Sequence, residues 1–292
     1  PSFTEVDRSL LSNNDIPAEA LAKLDTGKAP RSRYLSRVSS KIQVFVLFGL
    51  DGVDSSDSVM LVALDRVHQK IKLISLARDS YVFIPEFASF SKLAYSYTWG
   101  GAAMAVKNLN YNYYLNVSDY IAVNFDQLAQ IIDRIGGVTV NIDEDEARYL
   151  SGYPNVHVGD CLLDGETAVS YARIRKSSAT DSDRKRTGRQ REVILSILNT
   201  LQTMPLSQYP GFVRDCLGMC ATSFEAETLL TMAAETLGQN YTVEQYFFPE
   251  GQVDWWAGLI KEYFYYVYDL RRASDRIYRI IYEELYISGY DD

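Results

Sequence analysis

The chain has 292 residues, 47% hydrophobic and 23% charged, an ordinary globular composition with enough apolar mass for a sizeable core. Its formal net charge of -9 argues against nucleic-acid binding by bulk electrostatics, because such binders present a net basic surface. With only His68 and His157, and Cys161, Cys216 and Cys220 as the cysteines, neither a zinc site nor a full disulfide framework is supported.

Residues 1–40 are polar and mixed in sign, and read as a stalk or a peripheral helical segment. Within them, Ile16–Lys23 is expected to form a short helix with Asp15 as N-cap and Pro17 in the first turn. The runs Ile42–Leu50, Val59–Leu64 and Ile71–Leu76 are β-branched, aromatic and nearly continuous in apolar character, the mark of buried strands. Gly100–Leu109 reads as a helix and Tyr120–Phe125 as a strand. Asp126–Ile135 reads as a helix closed by Gly136–Gly137, and Val138–Ile142 as a strand. Beyond Leu163 helices dominate: Asp164–Tyr171, Asp183–Leu201, Glu225–Leu237 behind a Thr222-x-x-Glu225 capping box, and Asp254–Tyr286, with one late strand at Val243–Phe248. Cys216 and Cys220 read as two small buried hydrophobes on one helical face. The expected fold is α/β: a central, mostly buried, mixed sheet flanked by helices (α-β-α), with a helical C-terminal part. The expected organisation is a 1–40 segment, a 41–204 core and a mainly helical 205–292 extension packed on it.

Three segments carry candidate chemistry. Gly49-Leu50-Asp51-Gly52-Val53-Asp54-Ser55-Ser56-Asp57 sits at the carboxyl end of the first buried strand, at the sheet edge where open α/β folds bind ligands. Its carboxylates suit a hard cation such as Mg²⁺, although Asp, Gly and Ser are also what solvated turns use. Arg78-Asp79 follows the third strand and reaches the same edge if the strands are parallel there; Lys92 carries no signal of its own. The strongest is the basic cluster, in which Arg173 and Arg175 are two apart, on one side of an extended segment. Asp183, Arg186, Arg189 and Gln190 then share one helical face. Arginine forks match phosphate oxygens in pairs, and several forks hold both groups of a diphosphate. The alternative is a solvated helix start whose internal pairs contribute roughly 0.2–0.5 kcal/mol each. Nucleotide-binding phosphate loops and a G-x-S-x-G nucleophile elbow do not occur.

Taken in order, these segments resemble the LytR-CpsA-Psr family of bacterial cell-wall enzymes over about Lys41 to Leu201. The resemblance rests on Gly49-Leu50-Asp51, Ser56-Asp57-Ser58, Ser75-Leu76-Ala77-Arg78-Asp79, Lys92 with Ala94-Tyr95, Gly100-Gly101, Gly136-Gly137-Val138, Tyr171-x-Arg173-x-Arg175 and Asp183-x-x-Arg186-x-x-Arg189-Gln190. It implies transfer of a glycopolymer phosphate from a polyprenyl diphosphate carrier to a peptidoglycan hydroxyl. It implies Mg²⁺ (or Mn²⁺) on Asp51 and Asp57, and a diphosphate held by Arg78, Lys92, Arg173, Arg175, Arg186, Arg189 and Gln190. Asp183 is implied to orient arginines or accept a proton, and Arg78 to act in catalysis. The resemblance also implies an extracytoplasmic domain at the cell membrane, anchored by one apolar helix upstream of Pro1. Ala77 departs from the family's usual Pro, and Ser55-Ser56 stand where an Arg often lies, which removes one expected phosphate contact. The competing readings are a polyprenyl (di)phosphate-binding module that transfers nothing, and a diphosphate hydrolase.

Overall fold

The computed structural model describes residues 16–24, 39–52, 55–175, 179–236, 239, 241–249 and 253–287, with backbone alone at 179–183 and 285–287. Asp15, Asp54, Lys176 and most of the 1–40 segment lie outside the described residues. At its centre is a six-stranded mixed sheet in the order β10-β3-β2-β1-β6-β9. Its members are β1 (Ile42–Leu50), β2 (Ser56–Asp65), β3 (Lys70–Leu76), β6 (Tyr120–Asn124), β9 (Ala221–Thr222) and β10 (Thr242–Phe248). β2 pairs antiparallel with both β1 and β3, so β1 and β3 run in the same direction. β6 runs parallel to β1, and β10 parallel to β3. The carboxyl ends of β1, β3, β6 and β10 and the start of β2 therefore share one sheet edge.

The central strands read as unbroken apolar runs because both faces are covered. On one face Val46, Phe48, Leu61 and Ile74 pack against α2 (Tyr95–Tyr113) and α9 (Leu270–Ile287). On the other, Phe45, Met60, Val62 and Leu73 pack against α6 (Ala179–Thr203) and α8 (Ala226–Thr236). A second, smaller core joins α3 (Phe125–Arg134), the antiparallel pair β7 (Val138–Ile142) and β8 (Gly159–Leu163), α4 (Glu144–Tyr149) and α5 (Gly165–Arg173) beside α6. α5 approaches α3 so closely that a Cβ on Gly165 would lie 2.1 Å from the Ala129 carbonyl oxygen. The short helix α7 (Tyr209–Met219) carries Cys216, and Cys161, Cys216 and Cys220 are all free thiols.

Several elements depart from expectation. The N-terminal helix shrinks to α1 (Ala18–Leu21), with Pro17 at the N-cap rather than inside the first turn. α2 starts five residues before Gly100 and is broken at Gly100–Gly101, where Gly101 takes φ 63°, ψ −162°, a conformation open to glycine. Thr222 forms no capping box; it lies in β9, where its hydroxyl donates to the Tyr120 carbonyl at 2.8 Å. Asp254–Tyr286 is not one helix. Its first half is an antiparallel hairpin, β11 (Trp255–Ile260) and β12 (Tyr263–Tyr268), turned through Lys261 at φ 55°. The helix begins only after Asp269, whose carboxylate accepts from the Arg271 and Arg272 backbone amides. The aromatic run Tyr263–Tyr268 favours a pleated, half-buried surface over a helix. The remaining short pair, β4 (Tyr81–Ile84) and β5 (Ser89–Lys92), follows the Arg78 loop. The described residues beyond 204 thus supply β9 and β10 to the central sheet and α8 and α9 to its two faces.

Candidate functional site

A cavity of about 640 Å³ opens at the shared sheet edge, lined by Asp51, Asp57, Arg78, Tyr149, Tyr153, Ser170, Arg173 and Arg175. Asp51 follows β1 and turns the chain: its Oδ1 accepts from the Ser55 amide at 2.8 Å. That turn brings Asp57 back at the start of β2. Arg78 follows β3, and its Nη1 donates to Asp57 Oδ1. Arg175 Nη2 lies 3.5 Å and Arg186 Nη1 3.8 Å from the same oxygen. Asp57 is therefore the hub of three guanidiniums drawn from three separate segments.

The sequence-predicted residues divide by position. Asp51, Asp57, Arg78, Arg173 and Arg175 converge on the cavity. Arg173 is the last residue of α5, its guanidinium 4.5 Å from the Phe125 ring centre, a cation–π contact that fixes its direction. Tyr171–Arg175 is therefore a helix end followed by an extended Ile174 (φ −55°, ψ 125°), not one extended segment. Both arginines still reach the cavity because the chain leaves the helix between them.

Lys92, Arg186, Arg189 and Gln190 do not line the cavity. Lys92 Nζ holds Asp79 Oδ1 at 2.7 Å, and Asp79 Oδ2 lies 3.6 Å from Arg78 Nε, so Lys92 steadies Arg78 through an intermediary. Arg186, 1% exposed, sits behind Asp57 and donates to its carbonyl at 3.4 Å. Arg189, 4% exposed, donates to Glu146 Oε1 at 2.6 Å and to the Ile174 carbonyl at 3.1 Å. It joins α6 to α4 and to the end of α5. Gln190 Oε1 is buried without a hydrogen-bond partner among the described residues. Asp183 lies on α6 one turn before Arg186, and its side chain is outside the described residues.

The sequence reading missed Tyr149, Tyr153 and Ser170. Ser170 is one helical turn before Arg173, a spacing already visible in the chain. Tyr149 closes α4, whose N-terminus is a capping box of Asp143 and Glu146. It also missed how the Arg78 loop is clamped. Ser80 Oγ donates to the Ala77 carbonyl at 2.6 Å and meets Tyr268 Oη at 2.8 Å, and Tyr268 Oη meets Tyr113 Oη at 2.6 Å. One other ligand-type cluster among the described residues, Asp65, His68 and Glu284, lies near the opposite end of the sheet. There the ammonium groups of Lys70 and Lys72 already supply the cations: Lys70 is 2.8 Å and Lys72 3.9 Å from Glu284.

Three guanidiniums against two carboxylates line the cavity, an arrangement suited to a multiply charged anion. Asp51 and Asp57 also offer hard oxygen donors to the same space. Mg²⁺ usually takes one or two carboxylates and completes its shell with water and substrate phosphates, so this donor set fits it.

Known proteins resemble this chain in sequence and in fold. The chain is 30% identical over 209 residues to the polyisoprenyl-teichoic acid–peptidoglycan teichoic acid transferase TagU of Oceanobacillus iheyensis, covering 68% of this chain and 64% of that protein. It is 30% identical over 162 residues to TagT of Bacillus subtilis, which carries the same activity name, covering 54% of this chain and 48% of that protein. The matches thus span between about half and about two thirds of the length of these curated relatives. The fold matches the crystal structure of B. subtilis TagT with a TM-score of 0.70 at 20% identity, over 90% of this chain and 99% of that one. It also matches the family protein YwtF (TagT) with bound octaprenyl pyrophosphate lipid, with a TM-score of 0.65 at 18% identity, over 88% and 98%. The profile of the LytR_cpsA_psr family itself matches residues 19–278, which take in every residue lining the cavity; the chain belongs to that family.

Proposed function

We propose that this chain transfers a glycopolymer phosphate from a polyprenyl diphosphate carrier to a peptidoglycan hydroxyl, with the cavity at the sheet edge as the reaction site. The observation that carries this reading is the convergence of Asp51, Asp57, Arg78, Arg173 and Arg175, from three distant segments, on one cavity. The names of the relatives support the carrier and the acceptor.

The residues supply what phosphoryl transfer requires, which is alignment and charge neutralisation more than covalent chemistry. Arg78, Arg173 and Arg175 hold the two phosphates, and Arg186 adds positive charge behind Asp57. The acceptor hydroxyl attacks the phosphorus that bears the glycopolymer. The bond from that phosphorus to the bridging oxygen breaks, and polyprenyl phosphate leaves. The hydroxyl proton passes to a carboxylate, the role we assign to Asp183. Asp51 and Asp57 would hold Mg²⁺ (or Mn²⁺), which when bound neutralises charge developing on the phosphate oxygens. The acceptor places the reaction on the outer face of the cell membrane, and we assign the domain there, held by an apolar span upstream of Pro1. No helix among the described residues is long and apolar enough to cross a membrane.

The test is release of polyprenyl phosphate from a diphosphate-linked donor, with acceptor glycan and Mg²⁺ present. Asp57→Ala is expected to cut release by roughly 10²-fold, about 2.7 kcal/mol of barrier, while lipid affinity changes far less. Tight lipid binding without release under any condition would make the chain a binding module. Equal release without acceptor would make it a hydrolase.

A further inference from the structure

All three tryptophans of the chain belong to two elements that hang from the loop carrying Arg78. Trp99 lies in the first segment of α2, before its break at Gly100–Gly101, and Trp255 and Trp256 begin β11. α2 is tied to the loop where the Ala94 amide donates to the Arg78 carbonyl at 3.0 Å, and the hairpin where the Tyr266 amide donates to the Asp79 carbonyl at 3.0 Å. Around the tryptophans stand large apolar side chains left in solvent: Phe87 is 54% exposed, Trp99 45%, Leu259 61% and Tyr263 53%. Ring contacts join them. Phe87, between β4 and β5, meets the Trp99 ring edge-on at 5.0 Å, and Trp99 lies 5.4 Å from Tyr95. Tyr265 of β12 meets Tyr81 of β4 edge-on at 5.0 Å. Burial, then the nearby phenols of Tyr95 and Tyr263, push the Tyr265 hydroxyl up, so the start of α2 stands beside the hairpin. Leu259 and Tyr263 flank the hairpin turn at Lys261–Glu262, on opposite faces of the strand pair.

Apolar side chains scattered singly on a surface need no explanation, but a joined set of Phe, Trp, Tyr and Leu does. Its composition is that of a membrane–water interface, where tryptophan and tyrosine put an apolar ring towards the acyl chains and a polar edge among the headgroups. We infer that this aromatic ridge and the hairpin tip rest on the surface of a lipid bilayer and deliver the Arg78 loop to a carrier whose prenyl chain stays in the membrane; this rests on the phosphotransfer reading above, which makes the donor a polyprenyl lipid. Lys261 and Glu262, both exposed at the turn, set the depth, because their charges stay among the headgroups while Leu259 and Tyr263 reach the acyl boundary. A net charge of -9 is repelled by anionic lipid, so apolar contact holds the domain there. α1 packs on the same hairpin through Ile16, Ala20 and Leu24, so the segment fed by the span proposed upstream of Pro1 meets the molecule on this side.

The probe is carrier-free vesicles of phosphatidylcholine, with and without phosphatidylglycerol, and the readout is tryptophan fluorescence. Emission is expected to shift to the blue on mixing and to be quenched by lipid brominated high on its acyl chain, with phosphatidylglycerol adding nothing. Phe87→Ser, and separately Leu259→Ser/Tyr263→Ser, keep all three tryptophans and should each weaken partitioning about fivefold or more. The substituted side chains are exposed, so an unchanged thermal midpoint is expected, and either variant alone carries the test. In the transfer assay both variants should lose turnover of a long-chain donor in vesicles and keep that of a farnesyl-linked donor free in solution. Emission unmoved by vesicles, partitioning that survives in both variants, or partitioning that appears only with phosphatidylglycerol overturns the inference. So does a dimer in lipid-free solution that these substitutions dissolve, since the face then belongs to a second copy of the chain. Vesicle binding without transfer from either donor leaves the bilayer surface standing and sinks the phosphotransfer reading.

Discussion

Arg175 keeps 52% of its side chain in solvent and reaches Asp57 across 3.5 Å, whereas Arg189 is 4% exposed and pairs with Glu146 at 2.6 Å. In the sequence the two belong to one basic cluster; burial separates their consequences. Removing Arg189 leaves the Glu146 carboxylate, itself 6% exposed, without its counter-charge. Arg189→Ala is expected to lower stability by about 3–5 kcal/mol, the cost of breaking a buried pair from one side. The double variant Glu146→Leu/Arg189→Leu should recover much of that loss, since neither charge is then stranded. Arg175→Ala should change stability by less than about 1 kcal/mol, as for an exposed pair, and should instead weaken binding of a prenyl diphosphate. Urea unfolding and calorimetry on the same proteins check all three. A stable Arg189→Ala that has lost diphosphate affinity would return Arg189 to the binding face.

The hairpin β11–β12 shows how an element remote in sequence controls the site. Tyr268 at the end of β12 reaches Ser80 at 2.8 Å and Tyr113 at 2.6 Å, and all three are essentially without solvent contact. Ser80 in turn holds the loop that carries Arg78, through the Ala77 carbonyl. Tyr268→Phe leaves two buried hydroxyls each one partner short, so a loss of about 1–3 kcal/mol is expected. The loosened loop should also weaken prenyl diphosphate binding a few-fold. Unchanged affinity in a destabilised Tyr268→Phe would show that the clamp serves stability alone. α9 belongs to the same system: Ile277, Tyr278, Ile281 and Tyr282 are 6% exposed or less and pack into the main core.

The three-layer architecture buries an unusual number of phenols, and this sets how the whole molecule responds to alkali. Burial pushes Tyr81 and Tyr113 up to about 12, and Tyr268 well above its ordinary value. Burial followed by the neighbouring Glu244 raises Tyr246 to about 12. Below about pH 10 these groups are neutral in both the folded and the unfolded chain, so their contribution is fully present. As pH rises from about 10 towards 12 the unfolded chain sheds phenolic protons that the folded chain retains, and stability is lost. Urea midpoints should therefore fall steeply in that window. A part of the tyrosinate absorbance near 295 nm should appear only together with loss of far-ultraviolet circular dichroism. Smooth titration of all 22 tyrosines without unfolding would contradict the burial.

From the sequence alone came the order of the central strands along the chain, the α/β class and the segments that bear Asp51, Asp57, Arg78, Arg173 and Arg175. Each of these is a local signal: an unbroken apolar run marks a doubly covered strand, and charged residues at strand ends mark the edge where ligands gather. Tertiary structure decided which charges face the cavity and which hold its walls. Arg189 differs from Arg175 only in what packs over it. Lys92 acts through Asp79, and Tyr149 enters the site because α4 is pinned by a residue on α6. Tertiary structure also decided the hairpin at Trp255–Tyr268, which the neighbouring loop, core and helix hold in place. Contacts between residues far apart in sequence leave no periodic trace in it, and these contacts divide a cluster of like charges into those that line the cavity and those that hold it.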